Sequence, residues 1–436
     1  MGLLLSVAAF VSGHLSLARL VPSLAEWPGW IIEARTPLLF ASAVAAVMSL
    51  CRSPFTGRDF KVLLIPALYG AFTLAYVFFP FPLVRTKVDI LFGLTNFALF
   101  VWLYDPRYRN ALAACFIGLS SVLIIAGLVL MGDGERLNFA GSPITLVRLA
   151  AVSMFLLLFM EGRAWLRLAL VALHGFALVA SVQLSAFVAI ALAAAATPLI
   201  FISKTIMPRN IITNVMALAL GCAVGSAMAY SDISGKLAFR LKQNEAAPVA
   251  TQKPTSAPIN RGAFPGGIIR SDVPYDDTLM PVTMPNFDKD TRVCIDDRSD
   301  RIKLFAAALS VSNQAPDKWG WGDQAFIMPL TRFGSVGIHK QPHNIFLDVL
   351  VTRGPFFLAG FIALLYVAAI QSMVAAYRSP TSAPFLIAAV YILLAAQWTG
   401  DFFDFRWFFL LIVPVIGAAY ASPALSPSRK SLLDEI

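Results

Sequence analysis

Long apolar stretches, separated by short polar segments, follow one another along most of the chain. The hydrocarbon core of a lipid bilayer is about 30 Å thick, and a helix needs roughly 20 apolar residues to cross it. About twelve stretches approach that length, and each is predicted to be a membrane-spanning helix. The predicted spans are residues 3–20, 37–51, 62–81, 88–104, 111–131, 144–160, 164–180, 184–202, 212–230, 355–375, 383–396 and 407–421. The pattern therefore predicts an all-α, polytopic membrane protein.

One long polar segment, residues 231–343, lies between the ninth and tenth predicted spans. Residues 244–290 are rich in Pro, Ala, Thr and Gly, a composition that buries too little apolar surface to order itself, so we expect an irregular segment there. Residues 299–343 differ, because a Ser-Asp pair can cap a helix that begins near Arg301. The apolar residues of that helix recur at helical spacing, at Ile302, Phe305, Ala306 and Leu309.

The end of this loop leads directly into the tenth span. A glycine-aromatic turn at residues 319–322 follows the short helix, and the apolar spacing predicts a second helix over residues 343–353. Gly354 and Pro355 then mark the entrance to the span. The predicted organisation is spans 1 to 9 in residues 1–230, the large loop in 231–343, spans 10 to 12 in 344–424 and a cytoplasmic tail in 425–436.

The composition and charge of the chain agree with this pattern. Hydrophobic residues make up 58% of the chain and charged residues only 14%, which is outside the range of soluble globular proteins. A formal charge of +9 suggests nucleic-acid binding in a soluble protein, but in a membrane protein basic residues first report topology. Most basic residues beside the spans fall on one side, so we expect both termini in the cytoplasm and the large loop outside it. These residues are Arg52, Arg58, Lys61, Arg107, Arg109, Arg163, Arg167, Lys204, Arg209, Arg378, Arg429 and Lys430.

Metal and disulfide chemistry find little support in the sequence. The chain has four cysteines, and only Cys294 lies in the large loop, so a disulfide framework is not expected. The cysteines and histidines also lack the spacing of a zinc site. We therefore expect neither a metal nor another cofactor.

Four residues on the predicted external side are not explained by topology: Arg136, Arg148, Arg301 and His343. Charged groups near a bilayer are costly unless they are paired or wetted, so these residues are candidates for function. Simpler interpretations stay open. The first two arginines can snorkel to the interface, Arg301 can be a solvated helix end beside carboxylates, and His343 can be a satisfied interfacial histidine. A histidine pKa of about 6.5 nevertheless allows His343 to accept a proton near neutral pH.

Three ordered motifs contain these residues. The pair His343-Asn344, followed after nine residues by Gly354, resembles the signature of the O-antigen ligase and O-antigen polymerase family of bacterial envelope glycosyltransferases. Residues 301–326 carry arginine, an aromatic residue, alanines, proline, Gly-x-Gly and phenylalanine, which resembles a second motif of that family. Residues 136–143 run from arginine to Gly-x-Pro and resemble a third.

The chain departs from the family pattern in three places. Phe357 stands where a second glycine commonly lies, Phe305 replaces a more usual tryptophan, and the spacing from Pro316 to Gly320 is one residue longer. These departures concern the subfamily more than the family. The resemblance implies a GT-C-like fold of about twelve transmembrane helices with one large periplasmic loop between helices 9 and 10.

The resemblance also implies an activity, a metal-independent inverting glycosyl transfer at the periplasmic face of the bacterial inner membrane. Such enzymes move a glycan from undecaprenyl pyrophosphate to an acceptor hydroxyl during O-antigen, lipopolysaccharide or exopolysaccharide assembly. His343 would be the catalytic base. Asn344 would steady the turn beside it and would belong to the pyrophosphate- and substrate-binding residues. Arg136, Arg148 and Arg301 would bind the pyrophosphate, because a planar guanidinium meets phosphate oxygens bidentately.

Several alternatives stay open at this level. A polymerase, a ligase that uses lipid A core and a protein-glycosylating relative share these motifs, which specify neither the acceptor, the sugar nor the oligomeric state. A transporter or flippase of a lipid-linked glycan also fits a dozen helices around a cationic cavity, although these arginines lie toward the external face. A receptor or structural membrane protein would leave the histidine and the arginines unexplained.

Overall fold

Nine α-helices make up most of what the structure, a computed structural model, describes. The described residues are 57–78, 108–129, 143–159, 163–181, 184–201, 211–245, 344–399 and 405–420, with isolated positions within 3–51 and 305–320 and at 137. The helices are α1 (Gly57–Phe78), α2 (Arg109–Val129), α3 (Pro143–Phe159), α4 (Ala164–Ala180), α5 (Leu184–Phe201), α6 (Ile211–Glu245), α7 (Ile345–Arg378), α8 (Ala383–Thr399) and α9 (Arg406–Ala419). A 3₁₀ turn, Pro380–Ser382, joins α7 to α8.

These nine helices lie where nine of the predicted spans lie. Most of their ends differ from the predicted ones by a few residues, and α4 has the predicted bounds. Helix α6 continues to Glu245, well beyond the predicted end of its span. Helix α7 joins the predicted helix over 343–353 to the tenth span. The other three predicted spans, residues 3–20, 37–51 and 88–104, lie outside the described residues apart from isolated positions.

Three described helices are long and apolar enough to cross a membrane by themselves: α2, the Ile211–Ala229 part of α6, and α7. The other six contain shorter apolar stretches, of 10–17 residues, such as Phe60–Tyr76 in α1. Helices α3, α4 and α8, for example, have 17 residues each, which is about 25 Å at 1.5 Å per residue. The described chain is thus all-helical with apolar candidate spans, as predicted, but it does not show the predicted total of twelve.

Two helices are buried on every side. The side chains of α3 from Leu146 to Leu158 are all buried, and so is α9 from Arg406 to Gly417. Helix α3 packs against α2, α4 and α8, whereas α9 packs against α1, α7 and α8. Helices that are apolar all round are typical of a bundle interior. These two helices therefore form the centre around which the others are arranged.

Other helices expose continuous apolar faces. Soluble proteins rarely expose large apolar patches, whereas a bilayer covers them with lipid chains. On α6 the exposed residues recur every fourth position, and on α7 they follow the outer side of the helix. They include Ile212, Met216, Leu220, Val224 and Met228 of α6, and Ile362, Tyr366, Ile370, Met373 and Tyr377 of α7. These faces support the membrane character that the sequence predicts.

Glycines bring α4 and α6 into close contact. A Cβ on Gly221 would overlap the backbone of Ala172, and a Cβ on Gly225 would lie 2.7 Å from the carbonyl oxygen of Phe176. Gly175 of α4 lies in the same interface. The two glycines of α6 form a Gly-x-x-x-Gly pair, the spacing that lets the backbones of membrane helices approach closely.

Hydrogen bonds between helix ends agree with the predicted topology, in which successive helices cross the membrane in opposite directions. Arg109, at the start of α2, donates to Oγ1 of Thr381, which precedes α8, at 3.0 Å. Arg167, at the start of α4, donates to Oδ1 of Asn214 at 2.9 Å, and Nδ2 of Asn214 donates to the carbonyl oxygen of Leu158 at 2.9 Å. Residues that the charge pattern assigns to one side of the membrane therefore contact one another.

Candidate functional site

Asn344 holds the first turn of α7 and links it to α8. Its Oδ1 accepts from the main-chain N–H groups of Phe346 and Leu347 at 3.0 and 3.1 Å, so it satisfies two donors that a helix start leaves open. Its Nδ2 faces the main-chain and the side-chain oxygen of Gln397, each at 3.2 Å. Residues 345–353, which follow this cap, are called the arm below.

Helix α7 breaks at the end of the arm. Gly354 has φ 80° and ψ 178°. Residues that carry a Cβ atom rarely adopt this conformation, whereas glycine adopts it readily. Pro355 follows and has no N–H to donate to the helix. The break separates the arm from residues 355–378, the longer apolar part of α7. The arm can therefore point in its own direction, away from the axis of the span.

A glycine of the large loop packs into this break. Gly320 has φ 78°, and a Cβ there would lie 2.7 Å from both the amide nitrogen of Gly354 and the carbonyl oxygen of Val351. The ring centroid of Trp319 lies 5.9 Å from that of Phe356. Residues 319 and 320, the described part of the predicted glycine-aromatic turn, thus contact α7.

A buried polar cluster joins the arm to α1. We call it the Tyr76 cluster, and it consists of Tyr76, Asp348, Thr352 and Arg353, all buried. The Tyr76 hydroxyl lies 2.9 Å from Oγ1 of Thr352 and 3.4 Å from Oδ2 of Asp348. The guanidinium carbon of Arg353, which is 0% exposed, lies 5.1 Å from the centre of the Tyr76 ring. Charges are expensive in an apolar bundle, so their presence here is typical of a functional region.

Arg148 lies on α3 where that helix meets α8. It is buried, and its charge acts electrostatically on Tyr391 of α8. The Tyr391 side chain is fully buried with its ring centroid 6.0 Å from that of Phe155. Gln397, the partner of Asn344, lies six residues farther along α8, about 9 Å by helical rise. Arg148 and Asn344 therefore lie against the same helix.

A second buried polar cluster lies within the bundle, where α2, α3 and α4 meet. Nε2 of His174 lies 2.6 Å from Oγ of Ser120, which in turn lies 2.8 Å from Oγ of Ser153. Nδ1 of His174 faces the carbonyl oxygen of Leu170 at 2.7 Å. Both ring nitrogens of His174 thus have partners, and the cluster is a polar link between three helices.

Only two of the five predicted site residues, Arg148 and Asn344, belong to the described part of the chain. His343, Arg136 and Arg301 lie outside it. The convergence of the three arginines on His343 therefore stays a prediction.

Some residues close in sequence to Arg136 and Arg301 are described. Leu137, next to the first arginine in sequence, is buried, and its amide donates to the carbonyl oxygen of Ala180 at 3.0 Å. That segment thus reaches the end of α4. Phe305, Ala308 and Leu309 are helical, in the region where the sequence predicts a short loop helix. Ala308 is fully buried, whereas Leu309 is half exposed.

The Tyr76 cluster was not among the site residues predicted from the sequence. A signal was present, because Asp348 and Arg353 are charged residues within an otherwise apolar segment, and such residues are functional candidates by default. Tyr76 carried no comparable signal, since one tyrosine near the end of an apolar span is common at membrane interfaces. Its role depends on α1 lying beside the arm, which only the fold shows.

Among the described residues, no three His, Cys, Asp or Glu side chains are placed to hold a metal ion. Comparisons with protein-family models, curated proteins and solved structures found no match. Function must therefore be inferred from the motifs and from the geometry around the arm.

Proposed function

We propose that this protein transfers a glycan from undecaprenyl pyrophosphate to an acceptor hydroxyl at the periplasmic face of the bacterial inner membrane. The product would be O-antigen or exopolysaccharide, made by a polymerase or a ligase. The proposal includes the finer architecture expected from the sequence, about twelve spans in a GT-C-like arrangement with the loop 231–343 in the periplasm. Its partners are the lipid-linked donor and an acceptor glycan or lipid A core.

The geometry of the arm is the observation that carries this proposal. Asn344 fixes the start of the arm to α8, and the Tyr76 cluster fixes the arm to α1. His343 is bonded directly to Asn344, whose own position is fixed by these contacts. A side chain that moves a proton in a transition state needs such support, because small misplacements reduce the rate strongly.

The proposed chemistry is a direct displacement. The acceptor oxygen forms a bond to the anomeric carbon while the bond from that carbon to the pyrophosphate oxygen breaks, which inverts the configuration. His343 takes the proton of the acceptor hydroxyl, and undecaprenyl pyrophosphate leaves with the electron pair. Proton removal of this kind typically contributes about 10²- to 10⁴-fold to the rate.

Arginines would stabilise the negative charge that grows on the leaving group. Electrostatic stabilisation of developing charge is usually the largest single contribution to catalysis. Arg148 is the described arginine of the proposed set, and its burial inside the bundle would strengthen its interaction with a phosphate, because the surroundings screen charge less than water does. We expect Arg136 and Arg301 to act on the same group. Loss of one arginine should reduce activity as strongly as loss of His343.

The test uses the full chain, purified into lipid nanodiscs, with a defined undecaprenyl-pyrophosphate-linked repeat, with and without lipid A core. A ladder of products indicates a polymerase, and labelled core indicates a ligase. His343→Ala should reduce transfer by at least about 10²-fold. His339→Ala, which removes the other histidine of the loop, should keep the wild-type rate. Near wild-type transfer by His343→Ala would contradict the catalytic role, and absence of product from the wild type would contradict the function.

A transporter or flippase of a lipid-linked glycan is the second candidate, and the break at Gly354 is the observation that favours it. Transporters often bind substrates at broken helices near the middle of the membrane. Here the break lies near the start of the 34-residue helix α7, which fits a site at the mouth of the bundle better. Movement of a labelled lipid-linked glycan between the leaflets of proteoliposomes, without a change in its chain length, would favour transport over transfer.

A further inference from the structure

Tyr76 contacts α7 on both sides of its break. Its hydroxyl faces the arm, as described above, and Arg353 of the arm lies over its ring. On the far side of Gly354, the ring of Phe357 makes an edge contact with the Tyr76 ring, with 5.9 Å between the centroids. Phe72, one turn earlier on α1, packs on the same Phe357 with 4.5 Å between centroids. One face of α1 thus holds both parts of the broken helix.

The Tyr76 hydroxyl is suited to act as a donor to the arm. Thr352 Oγ1 donates its own proton to the carbonyl oxygen of Asp348 at 2.6 Å, so its lone pairs face Tyr76. The second neighbour of the hydroxyl is a carboxylate oxygen of Asp348, which accepts hydrogen bonds when ionised. Removal of the Tyr76 hydroxyl would take a donor from these buried acceptors and leave the aromatic contacts of the ring in place.

The length of the arm makes its orientation important. Asn344 lies ten residues before Gly354, about 15 Å along a helix. A rotation of about 5° at the break would therefore move Asn344, and the residue bonded to it, by about 1.3 Å. Displacements of about 1 Å can lower an enzymatic rate by about 10²-fold. A contact that fixes the angle at Gly354 thus acts on the chemistry from a distance.

We propose that Tyr76 is a positioning residue, which sets the angle between the arm and the rest of α7 and thereby aligns the His343-Asn344 pair. This inference rests on the proposed function, because the pair is the proposed catalytic segment. Tyr76 itself need not touch the substrate. Its effect should therefore be on the rate of the bound complex, with little change in donor binding.

The experiment compares Tyr76→Phe with Thr73→Val in nanodiscs. The control removes a buried hydroxyl one turn earlier on α1, where Thr73 donates to the carbonyl oxygen of Tyr69 in its own helix at 2.8 Å. Tyr76→Phe should lower kcat by about tenfold or more and leave the KM for the donor within about twofold. It should also speed hydrogen-deuterium exchange in residues 345–353. Thr73→Val should match the wild type in both measurements.

A second variant covers the case in which Tyr76→Phe does not fold. Thr352→Val keeps the shape of the side chain and removes the oxygen that faces Tyr76, so the same two changes are expected. An unchanged kcat in folded Tyr76→Phe or Thr352→Val would overturn the inference. If the wild type transfers no glycan, the proposed function is wrong, and the exchange comparison then decides alone whether Tyr76 holds the arm.

Discussion

Asn344 joins two helices with the two atoms of one amide. The oxygen satisfies N–H groups at the start of α7, and the nitrogen reaches Gln397 at the end of α8. Asparagine is among the best residues at a helix start for this reason. The other polar residues near the arm are also shared between helices. At the scale of the residue, the site is therefore built from side chains that connect elements.

Substitutions of Asn344 should separate its two contacts. Asn344→Ala removes both, and the loss of the cap alone should lower the stability by about 0.5–2 kcal/mol. Asn344→Ser retains an oxygen for the cap and loses the amide that reaches Gln397. We expect the thermal midpoint of unfolding, measured in nanodiscs, to fall more for the alanine variant than for the serine variant. Equal midpoints for the two variants would show that the cap contributes nothing measurable.

Tyr391→Phe removes a buried polar group but should not lower the thermal stability of the protein. Within the described part of the chain, the buried Tyr391 hydroxyl has no hydrogen-bond partner, and an unsatisfied buried polar group costs about 1–3 kcal/mol. Phenylalanine keeps the ring contact with Phe155. The thermal midpoint should therefore stay the same or rise. Ser153→Ala, which removes a partner of Ser120, is the matched comparison and should lower it.

At the scale of the element, the described helices divide into central helices and helices with a lipid-facing side. Helices α3 and α9 are central, whereas α6 is held mainly by its close contact with α4. Small residues rather than burial of large side chains make that contact possible. The apolar stretches were visible in the sequence, but each looked like an equal candidate span. Which helices are central depends on packing partners that lie far away along the chain.

The close contact between α4 and α6 predicts that a larger side chain at Gly221 destabilises the protein. Gly221→Val would place a branched side chain where even a Cβ overlaps the backbone of Ala172, so α6 should separate from α4 and the thermal midpoint should fall. Gly118→Ala on α2 is the control, because its Cβ would meet nothing within 4 Å. Alanine there should be neutral or should stabilise the helix by up to about 1 kcal/mol. A Gly221→Val protein as stable as Gly118→Ala would contradict the close packing.

The break in α7 illustrates what a short motif can and cannot indicate. Gly354 and Pro355 predicted the entrance to the tenth span, and the structure shows that the helix is broken at Gly354. The contact of Gly320 with the break was not predictable, since a positive φ at glycine can serve many kinds of turn. Only the fold brings the loop glycine against the backbone of α7.

At the scale of the whole molecule, the hydrogen bonds between helix ends support one arrangement of the chain across the membrane. Arg109 contacts Thr381, although the two residues are far apart in sequence. The positive-inside rule predicts that both lie at the cytoplasmic side. The described loop residues 319–320 lie beside the end of the arm, which the same rule predicts to be at the opposite side.

Labelling of single cysteines tests this topology. In a chain whose four native cysteines are replaced by serine, Thr381→Cys should react with a membrane-impermeant maleimide only after the cells are opened. Trp319→Cys, which is partly exposed, should react in intact cells with a permeabilised outer membrane. The reverse pattern would invert the topology and place the proposed site in the cytoplasm.

The amino-acid sequence by itself predicted an all-helical protein with apolar candidate spans and the approximate position of the nine described helices. These features follow from hydrophobicity and from local charge, which act over one helix length. The tertiary structure decided which buried side chains meet: Asn344 with Gln397, Tyr76 with the arm, Gly320 with the break. Such contacts join residues that are far apart in the chain, for example 276 positions between Tyr76 and Thr352. A local pattern cannot specify them, because a polar side chain in an apolar helix can face several neighbours until packing selects one.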